Sequence, residues 1–288
     1  MENSFVKVIE CPRDAMQGIE PFIPTERKIA YINSLLQVGF DAIDFGSFVS
    51  PKAIPQMRDT AEVLAGLDRT GSRSKLLAIV ANERGAEEAC AHAGIDQLGY
   101  PFSISETFQQ RNTNASIAQS YDRALRIAEL CAKHDKELVM YISMAFGNPY
   151  GDPWSPELVL LWAEKLADGL NVRTIALADT VGNAHAVHMD ALFRTIIPSF
   201  PEVTFGAHLH ARPEGLNEKL IAALEGGCRR FDTAVRGFGG CPMAKDELVG
   251  NADTEALVRC LDLFAFPHGL DRDRLAASVA MSATVFPA

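Results

Sequence analysis

The sequence predicts an α/β fold, a single (β/α)8 TIM barrel with an extra C-terminal helix, and three observations carry that reading. Short apolar runs alternate with longer stretches of helical periodicity along the chain, the signature of parallel βα units. Eight such units fit, and 288 residues over 8 units gives 36 each, slightly above the spacing of a barrel of about 250 residues. The residues whose chemistry stands out fall where strands end, the face on which barrels carry their sites. A doubly wound sheet is the alternative. No G-x-G-x-x-G follows the first strand and no G-x-x-x-x-G-K occurs, so the common nucleotide-binding reasons for an open sheet are missing and no nucleotide cofactor is expected.

In order, the expected strands are Val6 to Glu10, Ala42 to Phe45, Leu76 to Val80, Gln97 to Tyr100, Leu138 to Met144, Thr174 to Ala178, Thr204 to Leu209 and Arg230 to Ala234. Helices lie between them. From Thr25 to Val38, Ile29, Ile32, Leu35 and Leu36 form one apolar stripe, with Thr25 as the expected N-cap and Gly39 as the stop. Ser116 to His134 repeats the pattern through Ile117, Tyr121, Leu125, Ala128 and Leu130. Pro156 opens a further helix near Glu157, where its missing donor matters little. The Asp253 to Leu263 helix follows the eighth strand, and the tail from His268 to Ala288 reads as one more helix on the outside. The whole of residues 1–288 is expected to be one catalytic domain, with the barrel over roughly 5–265.

With 48% hydrophobic residues, the chain can build one large core. A formal charge of -10 with scattered Lys and Arg argues against a nucleic-acid partner. The six cysteines are widely spaced with no CxxC, so reduced thiols are the default rather than a zinc ribbon or disulfide framework. Strand-like sequence begins by Phe5 and no apolar stretch is long enough to span a bilayer, so no membrane partner and a cytoplasmic location are expected.

His208 and His210 are the most informative pair, because a two-residue step on a strand points both imidazoles to one side. An isolated His-x-His is as often a hydrogen-bonded core pair, and three other segments shift the balance: Cys11-Pro-Arg-Asp14 after strand one, Ala178-Asp-Thr-Val-Gly182 after strand six, and Gly239-Gly-Cys-Pro242 with Gly250-Asn251 after strand eight. Imidazoles, a carboxylate and an amide oxygen without a thiolate suit Mg²⁺, Mn²⁺, Co²⁺ or Zn²⁺. Such a cation would polarise a substrate hydroxyl or carbonyl and lower its pKa, and Arg13 would add a permanent charge able to form two hydrogen bonds to a developing enolate or a carboxylate. Each residue also has an ordinary reading. Asp14 can simply pair with Arg13, Asp179 and Asn251 can cap the helices that follow them, and Cys241 can be a small buried residue.

The runs Glu10-Cys-Pro-Arg-Asp-Ala-Met-Gln17, Ser47-Phe-Val-Ser-Pro-Lys52 with Pro55-Gln-Met57, Asp179-Thr-Val-Gly182, His208-Leu-His210 and Gly237-Phe-Gly-Gly-Cys-Pro242 with Gly250-Asn251 resemble those of the 3-hydroxy-3-methylglutaryl-CoA lyases, from about Val6 to Leu261. The resemblance implies that Asp14, His208, His210 and Asn251 are metal ligands, with Mg²⁺ or Mn²⁺ ahead of Zn²⁺ or Co²⁺. Arg13 would stabilise an enolate and Cys241 would sit in a catalytic loop as its proton donor. A His ligand such as His208, Asp179 or an ordered water would take the hydroxyl proton, and these alternatives stay open. Arg13, Gln17, Asp44 and Ser47 are the expected substrate contacts. The partner implied is a small-molecule acyl-CoA, cleaved by a retro-Claisen-type step, and related lyases pair as homodimers.

Three departures stand out. Asp44 occupies a position where those lyases carry Glu. Ala211-Arg212 follows His210 where an acidic residue is expected. The Pro242 to Gly250 loop is more acidic and one residue longer than usual. The rival readings are a condensing enzyme that joins acetyl-CoA to a 2-oxo acid, a 4-hydroxy-2-oxo acid aldolase, and a non-catalytic barrel that keeps its metal for stability. Under the lyase reading, Arg13→Met is expected to remove most turnover while leaving melting temperature and metal affinity nearly unchanged.

Overall fold

The computed structural model describes residues 4–240 and 249–286. In chain order it contains β1 (Lys7–Glu10), α1 (Pro12–Met16), α2 (Thr25–Leu36), β2 (Ala42–Ser47), a short 3-10 turn (Pro55–Met57), α3 (Thr60–Ala65), β3 (Lys75–Ile79), α4 (Glu83–Cys90), β4 (Gln97–Ser103), α5 (Glu106–Thr113), α6 (Ile117–Lys133), β5 (Glu137–Ser143), α7 (Pro156–Gly169), β6 (Thr174–Asp179), α8 (Ala186–Ser199), β7 (Thr204–Leu209), α9 (Pro213–Glu225), β8 (Arg230–Thr233), a second 3-10 turn (Val235–Gly237), α10 (Thr254–Leu263) and α11 (Arg272–Ser282). The strands pair in parallel from β1 to β8, and β8 closes back on β1 with Val8 opposite Phe231 and Glu10 opposite Thr233. This is the expected TIM barrel, and each expected strand has its counterpart.

Differences from the expected boundaries have local causes. Strand β4 runs on through Pro101 to Ser103 because the proline's missing donor falls on the side where β3 has already ended, while β5 pairs with it along its whole length. Thr25 lies inside the first turn of α2 rather than capping it, and its hydroxyl donates instead to Asp59 at 2.8 Å. The tail helix is shorter than the run His268 to Ala288: it starts after Asp271, whose carboxylate accepts the Arg274 N–H at 3.0 Å. Ser116 caps α6 and Ser155 caps α7, the latter just ahead of the Pro156 that the sequence marked as the helix start.

Most of the apolar core lies between the strands and the helices. Inside the barrel, Leu77, Ile79, Val139, Tyr141 and Ala176 form one small apolar group, and Ile9, Cys11 and Ala42 form another. Buried charged side chains, among them Arg13, Asp14, Asp44, Arg230 and Asp232, add to the interior.

Glu10 stitches the barrel seam. Its carboxyl accepts the Val235 N–H at 2.7 Å and meets the Thr254 hydroxyl at 2.7 Å, tying β1 to the connection after β8 and to the start of α10. Burial pushes its pKa up to about 8 against the opposing effect of those two hydrogen bonds. The folded protein thus binds this proton more readily than the unfolded chain. The group's contribution to stability is complete below the ordinary Glu range and is lost as pH rises through about 8. Glu10→Gln, which is isosteric and cannot ionise, should therefore gain on the parent as pH rises from roughly 6 to 9, by at most about 1.4 kcal/mol per pH unit. Thermal denaturation across that range measures it, and parallel curves for the two proteins would contradict it.

Candidate active site and metal centre

Strand β1 ends at Glu10, and Pro12 starts the short helix α1, which turns Arg13 and Asp14 into the barrel mouth. Both are largely buried, at 8% and 6% exposed. The Arg13 guanidinium is held from two sides. Nε and Nη2 donate to the Asp44 carboxylate at 3.0 and 2.5 Å, and Nη1 donates to Asp14 Oδ1 at 2.8 Å and to Gln17 Oε1 at 3.0 Å. Burial disfavours the guanidinium, but Asp44 and Asp14 outweigh it and keep Arg13 charged. Burial also pushes the Asp44 carboxyl up to about 6 despite Arg13, which leaves it ionised at neutral pH.

Strand β7 delivers His208 from its interior face and His210 from just beyond its end. Their Nε2 atoms are 3.3 Å apart. Ligand atoms of Asp14, His208 and His210 all lie within 4.8 Å of one another. Asn251 joins them because its segment returns antiparallel to the end of β7: the Ala252 N–H donates to Leu209 O at 2.8 Å, and the Ala211 N–H to Gly250 O at 3.0 Å. Its side-chain amide then reaches Asp14 Oδ2 at 2.8 Å and the Phe238 carbonyl at 2.8 Å. Gly239 is required beside it. A Cβ there would lie 2.5 Å from the Asn251 amide nitrogen, on a backbone with φ +103°.

The donor set fits a divalent cation. Two ligands on one ion at about 2.1 Å are separated by about 3.0 Å at octahedral angles and about 3.4 Å at tetrahedral angles, and the imidazole separation falls between these. Burial and the neighbouring His208 push His210 down to about 4, so it is a neutral imidazole at physiological pH. Burial raises the Asp14 pKa, but Arg13, both imidazoles and Asn251 outweigh it and keep the carboxylate ionised.

A cavity of about 930 Å³ opens above these groups, with Arg13, Asp14, Gln17, His208 and His210 in its floor and the loops after β2, β3 and β4 as its wall. Three arginines, Arg84, Arg111 and Arg123, line it. Arg111 lies over the Tyr150 ring at 4.5 Å, and Arg123 donates to Thr113 O at 3.2 Å.

The structure thus brings together Arg13, Asp14, Gln17, His208, His210 and Asn251. Three other expected site residues have structural partners of their own. Asp179 does not line the cavity, although Ala178 and Thr180 do. Its carboxylate is engaged by Lys219 Nζ at 2.6 Å and by the Ala184 N–H at 3.1 Å, and Lys219 also donates to Gly182 O at 2.8 Å. In this structure Asp179 therefore braces the loop after β6. Asp44 is fully buried behind Arg13 and orients it without reaching the cavity. Ser47 is 2% exposed and turns inward, where its hydroxyl accepts the Val49 N–H at 3.3 Å. Cys241 lies outside the described residues.

The sequence reading passed over Asp232 on β8, whose carboxylate meets His208 Nδ1 at 3.2 Å, and Tyr141, which meets the His208 ring edge-on at 5.5 Å. A usable signal existed for the first. Arg230 and Asp232 place two charges at alternate positions of one barrel strand, the same spacing that marks His208 and His210.

Comparison with known proteins gives a consistent result. The profile of the HMGL-like family matches residues 7–281. A rat protein named 3-hydroxy-3-methylglutaryl-CoA lyase, cytoplasmic, is 33% identical over 269 residues, covering 93% of this chain and 77% of its own. A Chloroflexus aurantiacus protein named (R)-citramalyl-CoA lyase is 33% identical over 284 residues, covering 95% and 89%. Among solved structures, an HMG-CoA lyase from Acinetobacter baumannii in complex with coenzyme A and 3-methylmalate superimposes with a TM-score of 0.89 at 33% identity, covering 98% of this chain and 91% of its own.

Proposed function

The chain belongs to the HMGL-like family, and on that premise we propose that it is a carbon–carbon lyase that cleaves 3-hydroxy-3-methylglutaryl-CoA to acetyl-CoA and acetoacetate with a divalent cation. The observation that carries this is the convergence of Asp14, His208 and His210 on one point, with the Arg13 guanidinium 2.8 Å from Asp14.

Asp14, His208, His210 and Asn251 are the residues that would hold the cation. When bound, it would polarise the substrate hydroxyl and lower its pKa. The protein's own part is to orient and to stabilise charge. All but one of the Arg13 N–H groups are committed to Asp44, Asp14 and Gln17, and the remaining Nη2 N–H is the donor we assign to the thioester oxygen, where enolate charge would develop. The 3-hydroxyl gives up its proton to a base, for which a His ligand such as His208, Asp179 and an ordered water are the candidates; the adjacent carbon–carbon bond breaks to leave the ketone of acetoacetate, and the acetyl-CoA enolate takes one proton back at carbon. Cys241 is the proposed donor of that proton. Arg84, Arg111 and Arg123 give the cavity a cationic wall suited to the phosphates of coenzyme A.

Mg²⁺ or Mn²⁺ are the proposed cations, since oxygen and imidazole donors without thiolate suit them. A cytoplasmic location rests on the name of the rat relative and on the finding that no described helix is long and apolar enough to cross a membrane. A homodimer is carried over from the sequence resemblance. The Chloroflexus relative motivates a second reading of the acyl group alone, with citramalyl-CoA as substrate on the same site.

Mass-spectrometric product analysis separates these readings. The panel is 3-hydroxy-3-methylglutaryl-CoA, (R)-citramalyl-CoA and a 4-hydroxy-2-oxo acid, each with Mg²⁺ or Mn²⁺ and with chelator. Acetoacetate and acetyl-CoA should form from the first ester and disappear with chelator. Cleavage of the oxo acid with no acetoacetate from the thioester would make the protein an aldolase and end the lyase reading.

A further inference from the structure

Beneath the two imidazoles, the barrel interior holds a buried charge pair that the proposed chemistry does not use. Arg230 and Asp232 occupy alternate positions of β8, and His208 lies directly opposite Asp232 in the β7–β8 register. Arg230 Nη1 lies 2.7 Å from Asp232 Oδ1, while the other carboxylate oxygen faces His208 Nδ1 at 3.2 Å. Both side chains are almost wholly enclosed, at 4% exposed for Arg230 and 0% for Asp232.

Room for the arginine is made on β7. A Cβ added at Gly206 would lie 2.8 Å from Arg230 Nη1 and 3.1 Å from its Cδ. The same strand that carries His208 thus leaves a gap for the guanidinium two positions earlier.

Cys11, His208 and Asp232 also have ligand atoms within 4.8 Å of one another, so a second, deeper cation position has to be weighed. The arginine decides against it. A cation there would share Asp232 with a guanidinium already in contact with it, and two positive charges a few ångströms apart in a buried site repel strongly. The pair Arg230 and Asp232 carries no net charge. It leaves Asp232 available for what a carboxylate behind a ligand imidazole does elsewhere, which is to accept the hydrogen of the far ring nitrogen.

We infer that Asp232, held in place by Arg230, is a positioning residue: it fixes His208 as the tautomer protonated at Nδ1, so that the Nε2 lone pair faces the same point as His210 and Asp14. This rests on the proposed cation site, and it adds that the site's affinity is set in part from the floor of the barrel by residues that touch neither cation nor substrate.

The test reads metal binding and ring chemistry instead of turnover. Mn²⁺ titration by calorimetry should show affinity lowered about 10- to 100-fold in Asp232→Asn, because an amide can donate to Nδ1 and favour the wrong tautomer. Nitrogen-15 spectra of the imidazoles should show the His208 ring pattern change. Should Asp232→Asn fold poorly with Arg230 left unpaired, the double variant Arg230→Met, Asp232→Asn removes both charges and should still bind Mn²⁺ at least about tenfold more weakly than the parent. Folded variants with parental Mn²⁺ affinity and an unchanged His208 tautomer would overturn the inference. So would a thiolate-to-cobalt charge-transfer band in the Co²⁺-loaded protein that vanishes in Cys11→Ser, since Cys11 and Asp232 would then be ligands themselves. Failure of the lyase reading looks different: the parent binds Mn²⁺ and responds to Asp232→Asn, yet releases no acetoacetate.

Discussion

Replacing Arg13 with methionine should lower turnover of the thioester by at least about 10²- to 10³-fold, the usual effect of deleting a preorganised donor to a developing oxyanion. From the sequence alone, a nearly unchanged melting temperature is expected. The packing says otherwise. Asp44, fully buried, accepts hydrogen bonds from Arg13 Nε and Nη2, and Asp14 accepts one from Nη1. Methionine would leave both carboxylates without their guanidinium, and breaking a buried pair from one side typically costs about 3–5 kcal/mol. Asp44→Asn in the same chain removes the charge left behind and should recover much of that loss without restoring turnover. Urea denaturation and turnover measured on the single and double variants separate the two roles. Substantial turnover in the double variant would show that the guanidinium is structural only.

What the sequence made legible was whatever depends on neighbours along the chain. The alternation of strands and helices, the apolar stripe of α6, the Pro156 start of α7 and the two-residue step of His208 and His210 are local, and the structure keeps them. Asp14 and Asn251 were recognisable by analogy of motif, although they meet across 237 positions of sequence. The structural partner of Asp179 was not legible because it is remote. Lys219 lies in the middle of α9, where a lysine looks like part of a solvated face, yet it is 7% exposed and reaches 40 positions back to the carboxylate. The pairing of Asp44 was hidden for a related reason. An acidic residue at a strand end looks available to substrate until the arginine from the adjacent strand end is seen to occupy it. Buried charges can be found in a sequence, but which opposite charge each one faces is fixed by barrel closure and register.

Asp14→Asn should be the most damaging single change to cation binding, with Mn²⁺ affinity falling by at least about 100-fold and turnover at sub-millimolar metal lost. Asp14 is the only anionic member of the expected ligand set, and its carboxylate is already shared with a cation: Arg13 Nη1 and the Gln17 amide both donate to Oδ1, while the Asn251 amide reaches Oδ2. With the negative charge removed, a divalent ion would face a guanidinium and two neutral imidazoles in a largely buried site, so the loss includes unscreened repulsion from Arg13 as well as one missing bond. Stability should change less than in the arginine variant, because Arg13 keeps Asp44 and the asparagine oxygen still accepts from it. Raising Mn²⁺ into the millimolar range should restore part of the turnover. That partial rescue distinguishes weakened metal binding from loss of a group acting directly on substrate, which no concentration of metal would repair. Unaltered Mn²⁺ affinity in Asp14→Asn would show that Asp14 serves only to anchor Arg13, and the site would have to be rebuilt around the histidines alone.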